Sequence, residues 1–195
     1  MVKALGYYSH KGGKEAKGLT KLKQHLKYLE HGKAHRNRPE GFSDREEPVS
    51  RAEFYEKIKD QPERGVIAHK LVFSLSEDER DRLGVKLKDL VREVMAAWSQ
   101  HLGKALSWIG FEHDDPGHPH VHVVVAGYAE GRQVGVYEKD LRSLREWAER
   151  EKERQRGTRE AERPVEKEAD RLLRDIGREV SRELPERGRG PDRGR

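Results

Sequence analysis
At 195 residues the chain is long enough for one folded domain with its own core plus an appendage. Hydrophobic residues make up 33% and charged residues 39%, with a net charge of +5 that fits a polyanionic partner. The lack of cysteine excludes a disulfide framework and any thiolate ligand or nucleophile. No stretch has the apolar length of a signal peptide or membrane span, so a cytoplasmic protein without membrane insertion is expected. Arg, Lys and Glu abound while Asn37 is the only asparagine, a composition expected of a thermophile.

Val2 to Tyr8 reads as a first strand, with Leu5 and Tyr7 on one face and Ala4, Gly6 and Tyr8 on the other. A glycine-rich basic loop comes next, in which Lys11 and Lys14 are candidate phosphate contacts. Leu19 to about His31 reads as a helix with Leu19, Leu22, Leu26 and Leu29 on one stripe. Tyr28 lies ~140° from the centre of that stripe at ~100° per residue, sharing a face with Lys21, Gln24 and His31. It is either a plain surface tyrosine or one aimed into a site. The loop from Gly32 to Gly41 carries Lys33, Arg36 and Arg38, which suit DNA phosphates.

Ser50 is placed to cap a helix reaching about Lys59. Val66 to Leu75 reads as a strand, and Ser76 with Glu79 three residues on forms a capping box for the next helix. Leu83 to Leu102 reads as a helix with Leu83, Leu87, Leu90, Val91, Val94 and Trp98 on one stripe. Beyond a histidine-rich stretch, Glu130-Gly131-Arg132 reads as a turn into a short strand, Val134 to Tyr137. Lys139 to about Arg154 is helical, and Pro164 is placed to open a further helix carrying Leu172, Leu173, Ile176 and Val180. The expected organisation is a domain over 1–155, a charged helical extension over 156–185 and a disordered basic tail over 186–195. The fold class is α+β, with helices packed on one face of a central antiparallel sheet.

Four of the ten histidines fall within Phe111 to Val125, beside Asp114 and Asp115 and ahead of a valine run. Asp115-Pro116-Gly117-His118 has the proline and glycine of a type II turn between two strands. In a two-residue hairpin Asp115 faces His118, His113 faces His120, and Phe111 faces His122. His113, His120 and His122 then share one face within ~5–7 Å, close enough for one metal ion. A four-residue loop would instead set His113 opposite His118, and a cluster would still form. A lone strand histidine is usually an ordinary polar residue. Four on one face would repel one another when protonated, and neutral imidazole is a common metal ligand.

The pattern His113-x-Asp115-x-x-His118-Pro119-His120-x-His122, with valines after it, resembles the signature of HUH endonucleases, in particular the plasmid mobilisation relaxases. Leu26-Lys-Tyr28-Leu-Glu resembles the motif that carries the nucleophilic tyrosine of that family, although Glu30-His31 stand where a basic residue is common. The resemblance spans roughly residues 2–155 and implies a palm-like sheet bearing the motif histidines on a central strand. It implies His113, His120 and His122 as ligands of Mg²⁺ or Mn²⁺, although three imidazoles bind Zn²⁺, Ni²⁺ or Cu²⁺ more tightly. It implies Tyr28 as nucleophile and a serine, best matched by Ser74, on the DNA 3′ side. Asp115 or His118 could accept or relay the tyrosine proton, or hydrogen-bond a ligand histidine. The implied partners are single-stranded DNA at a transfer origin and accessory relaxosome proteins. Two other readings compete: a rolling-circle initiator or transposase of the same superfamily using Tyr137, and a metal- or DNA-binding protein that cleaves nothing.

Overall fold
The computed structural model describes residues 1–10, 17–31, 39–81, 84–115 and 117–183. The elements in order are β1 (Val2–Ser9), α1 (Lys17–His31), β2 (Gly41–Phe42), α2 (Arg51–Lys59), β3 (Val66–Ser74) and α3 (Glu77–Asp81). They continue with α4 (Leu87–Leu102), β4 (Trp108–Asp115), β5 (His118–Ala126), β6 (Tyr128–Ala129), β7 (Arg132–Gln133) and α5 (Glu138–Glu183). The first five strands form one antiparallel sheet in the order β1-β3-β5-β4-β2, and β6 pairs with β7 in a separate ribbon. The chain divides into two compact units, Met1–Arg156 and Gly157–Arg195. In the second, Val165, Leu172, Leu173 and Ile176 are exposed on the helix.

Helices cover both faces of the sheet, where a single covered face was expected. The valine run of β5 explains why. Val123 and Val125 point into a core with Leu90, Val94 and Trp98 of α4 and Leu141, Leu144 and Ala148 of α5. Val124, between them, points the other way, into a core with Leu22, Leu26 and Leu29 of α1 and Phe54 and Ile58 of α2. All three valines are fully buried, and a strand apolar on both sides needs cover on both sides.

Four other expectations are corrected. The alternation of β1 breaks at a bulge: Ala4 pairs with Leu71 and Gly6 with Lys70, adjacent residues on opposite faces of β3. Gly6 takes φ 103°, a conformation other residues resist, and this resets the register so that Lys3 and Tyr8 end up on the same face of the sheet. The helix expected from Leu83 begins at Leu87, and Leu83 itself lies outside the described residues. Ser76 and Glu79 form the expected capping box, which opens the short α3, and beyond it the Val85 amide returns to the Glu79 carbonyl at 3.3 Å. Val134–Tyr137 is not a strand; the ribbon forms one step earlier, and Val134 is buried with its carbonyl bonded to His69. Finally, α5 runs unbroken across Pro164, where a second helix was expected to start.

The capping box also carries a tertiary contact. Glu79 accepts from the Ser76 amide at 2.8 Å and from Lys152 Nζ at 2.7 Å, and Lys152 is nearly buried. Burial alone would raise the Glu79 pKa, but the bonds from Lys152 and Ser76 outweigh it and hold it down at about 2. Because the folded state binds this proton more weakly than the unfolded chain, the contribution is complete above the ordinary glutamate range. It is lost as pH falls toward 2. Glu79→Gln should lower unfolding free energy by ~1–3 kcal/mol at neutral pH. It should also flatten the acid limb of stability against pH, both read by urea melts from pH 7 to 3.

Candidate metal centre
His113 lies near the end of β4, His120 and His122 near the start of β5, and the hairpin register pairs His113 with His120 and Phe111 with His122. Asp115 pairs with His118, so the two-residue turn is the one that forms, and Gly117 takes the positive φ of 83° that its place in the turn requires. The three rings stand 5.0–5.2 Å apart between centroids. One donor nitrogen from each lies within 4.8 Å of the others, and among the described residues this is the one such group of metal-ligating side chains.

Backbone carbonyls orient two of the rings. His113 is 2% exposed, and its Nε2 lies 3.0 Å from the Leu29 carbonyl of α1. A carbonyl can only accept, so Nε2 carries the hydrogen and the neutral ring keeps its lone pair on Nδ1. His120 Nδ1 donates to the His118 carbonyl at 2.8 Å, which leaves Nε2 as its lone-pair atom. Neutral imidazoles with their second N–H groups tied back are the usual arrangement behind metal–histidine bonds of ~2 Å. The residues fit a divalent ion. Three nitrogen donors also leave coordination positions open for oxygen ligands.

Helix α1 runs along this end of the sheet. Leu29, whose carbonyl holds His113, is preceded by Tyr28, which is 55% exposed. His25, one turn earlier, was not singled out in the sequence. Its ring stands edge-on to His122 at 6.5 Å and beside Tyr8 at 5.9 Å. Its Nδ1 is buried without a hydrogen-bond partner, and burial, helped by the Lys70 charge, lowers its pKa to about 4, so the ring is neutral. Nothing in the local sequence separates His25 from a surface histidine. Only its place at the edge of the leucine stripe, ~40° from Leu29 at ~100° per residue, hints that it turns inward.

A family model for the MobA/VirD2-like relaxase nuclease domain matches residues 28–157. The chain belongs to that relaxase family. The match makes residues 28–157 part of a DNA-nicking nuclease domain of the HUH type. Among solved structures, the relaxase resembles the MobM relaxase domain (MOBV; Mob_Pre), crystallised with Mn and bound to plasmid pMV158 oriT DNA. The two share 14% identity with a TM-score of 0.50, over 78% of this chain and 83% of that one, which is a likeness of fold. No curated protein sequence matches the chain.

The fold of this relaxase brings some of the sequence candidates together. Ser74 pairs with His120 across β3 and β5, so it lies directly beside the cluster. Ser76 is occupied by its capping box. Asp115 and His118 lie at the tip of the hairpin, His118 with an exposed side chain and a carbonyl that holds His120. Glu30, the departure from the family's basic residue, binds Arg51 of α2. Tyr137, 65% exposed, precedes a helix packed on the opposite face of the sheet from the histidines. Lys11, Lys14, Lys33, Arg36 and Arg38 lie outside the described residues. Among the described residues no helix is long and apolar enough to cross a membrane.

His120→Ala and His122→Ala should each abolish the thermal stabilisation given by Mn²⁺. In the intact protein that gain is ~2.7 kcal/mol with the ion at a hundred times its Kd. His118→Ala, which keeps the carbonyl that holds His120, should retain most of the gain. Scanning calorimetry with and without Mn²⁺ reads the difference, and an undiminished shift in His120→Ala would place the ion elsewhere.

Proposed function
We propose that this relaxase nicks and rejoins one DNA strand at a plasmid transfer origin, with Tyr28 as nucleophile and the ion held by His113, His120 and His122. The observation that carries the reading is the His113–Leu29 hydrogen bond. It ties the last turn of α1 to the histidine cluster, next to the residue that bears the phenol. His25 and Tyr28 lie on neighbouring turns of α1, and His25 already touches His122, so that flank of the helix borders the cluster. Tyr28 stands off the buried leucine stripe and is open to an incoming strand.

A phenol is a weak nucleophile until its proton is taken. Asp115 or His118 at the hairpin tip accepts that proton. The tyrosine oxygen then attacks the scissile phosphorus in line, and the bond to the departing 3′ oxygen breaks. The products are a 5′-phosphotyrosyl link on Tyr28 and a free 3′-OH. One phosphoester replaces another, so the reverse attack by a 3′-OH rejoins the strand without ATP. The bound divalent ion, Mg²⁺ or Mn²⁺, supplies positive charge that polarises a non-bridging phosphate oxygen. Ser74, beside His120, is suited to a hydrogen bond with the strand, and Lys11, Lys14, Lys33, Arg36 and Arg38 to its other phosphates. The charged segment beyond residue 156 is the part suited to accessory relaxosome proteins.

The competing assignment to Tyr137 is disfavoured by its helix, which packs beneath the other face of the sheet. Tyr28→Phe removes one hydroxyl from a side chain off the core and should leave folding, metal binding and DNA binding intact. It should abolish nicking of a supercoiled plasmid bearing the cognate origin, together with the covalent DNA–peptide adduct seen by mass spectrometry. Tyr137→Phe should keep both. Nicking by Tyr28→Phe at the wild-type rate would remove Tyr28 as nucleophile, and loss in Tyr137→Phe alone would support the replication-initiator reading.

A further inference from the structure
The histidine face of the sheet is covered over only part of its width. Ile109, Phe111, Val124, Ala126 and Ala68 are buried beneath α1 and α2. The residues that continue the histidine rows onto β3 and β1 stay open to solvent. Ser74 lies beside His120 and Val72 beside His122, with Lys3 next to Val72 on β1 and Lys70 one same-face position along β3. Val72, Ser74 and Lys70 are partly exposed, and Lys3 is exposed. Same-face residues lie ~6.6 Å apart along a strand and strands ~4.8 Å apart, which sets the Lys70 backbone ~8 Å from that of His122.

This strip is cationic. Neither β1 nor β3 contains an Asp or Glu, and among the described residues neither Lys3 nor Lys70 forms an ion pair. Lys70 is nonetheless held in place. Its Nζ stands 5.0 Å from the centroid of the Tyr8 ring, which packs against His25, which in turn meets His122. A chain of rings thus links an unneutralised ammonium group to the metal cluster. The bulge at Gly6 is what allows this: without its register shift, Lys3 and Tyr8 would fall on opposite faces. A partly buried cation without a carboxylate partner calls for an anion from outside, and two ammonium groups on the open strip beside a nuclease centre suit a phosphate backbone.

We propose that the open strip of β1 and β3 is the bed for the single-stranded DNA flanking the scissile phosphate, with Lys70 and Lys3 neutralising successive backbone phosphates. The inference rests on the relaxase reading and adds the binding track to it. The contacts are to phosphate, so they position the strand without reading its bases.

The test uses the full chain and a fluorescently labelled oligothymidylate, with anisotropy titrations over a salt series. Lys70→Met and Lys3→Met each remove one ammonium while keeping an apolar stem, and Lys70→Arg keeps the charge. Each Met variant should bind ~3–10-fold more weakly at low salt. Each should also lower the slope of log K against log salt by ~0.7, and the double variant by ~1.4. Lys70→Arg should restore the wild-type slope. Weaker binding with an unchanged slope would assign Lys70 to packing and overturn the bed, as would unchanged binding in all three Met variants. Nicking of a plasmid bearing the cognate origin, run in parallel on the wild type, separates the two claims. A wild type that nicks while the slopes stay fixed defeats only the bed, whereas one that neither binds the oligonucleotide nor nicks defeats the relaxase reading with it.

Discussion
The hydrogen bond between His113 and the Leu29 carbonyl is the contact on which the site depends. Leu29 lies in the last turn of α1, where helix carbonyls look outside the helix for donors, and the buried His113 ring supplies one. Leaving such a group unpaired costs ~1–3 kcal/mol, enough to fix where the helix ends against the sheet. The same bond selects the ring tautomer and so decides which nitrogen of His113 faces its partners. Helix end, tautomer and cluster geometry are therefore one constraint. Tyr28 and His25 take their positions beside the cluster from it.

Charge is sorted around this centre. Two acids near the hairpin are engaged away from the open strip: Asp114 with Arg80, and Glu77 with the Gly117 amide. Glu112 alternates to the opposite face from His113, where burial pushes its carboxyl group above the ordinary range. The histidine face thus presents imidazole rings and the lysines of the open strip, with Asp115 at the hairpin tip. The lysines suit a polyanion approaching a bound cation. On the other face, α4 and α5 bury a larger apolar core that gives the hairpin a rigid floor. A centre built on two adjacent, doubly covered strands holds its geometry better than one built on loops.

What the sequence determined by itself was local. The alternation of His120 and His122, the turn chemistry of Pro116-Gly117 and the leucine stripe of α1 each depend on residues a few positions apart. Strand and helix periods are intrinsic to the backbone. From these alone the hairpin and the histidine cluster were legible, as was the fact that Tyr28 is not a core residue, while the choice between two hairpin registers waited for the structure. The family resemblance lay in the same short spacings. What escaped was everything set by how distant elements meet. The Leu29 carbonyl, His25 and Lys70 acquire their roles only where α1 crosses β5 and where β3 and β1 flank it. The bulge at Gly6, the two-residue β2 and the second covered face are likewise decided by pairing partners tens of residues away. Side-chain periodicity says which way a residue points, but only the tertiary fold decides what it points at.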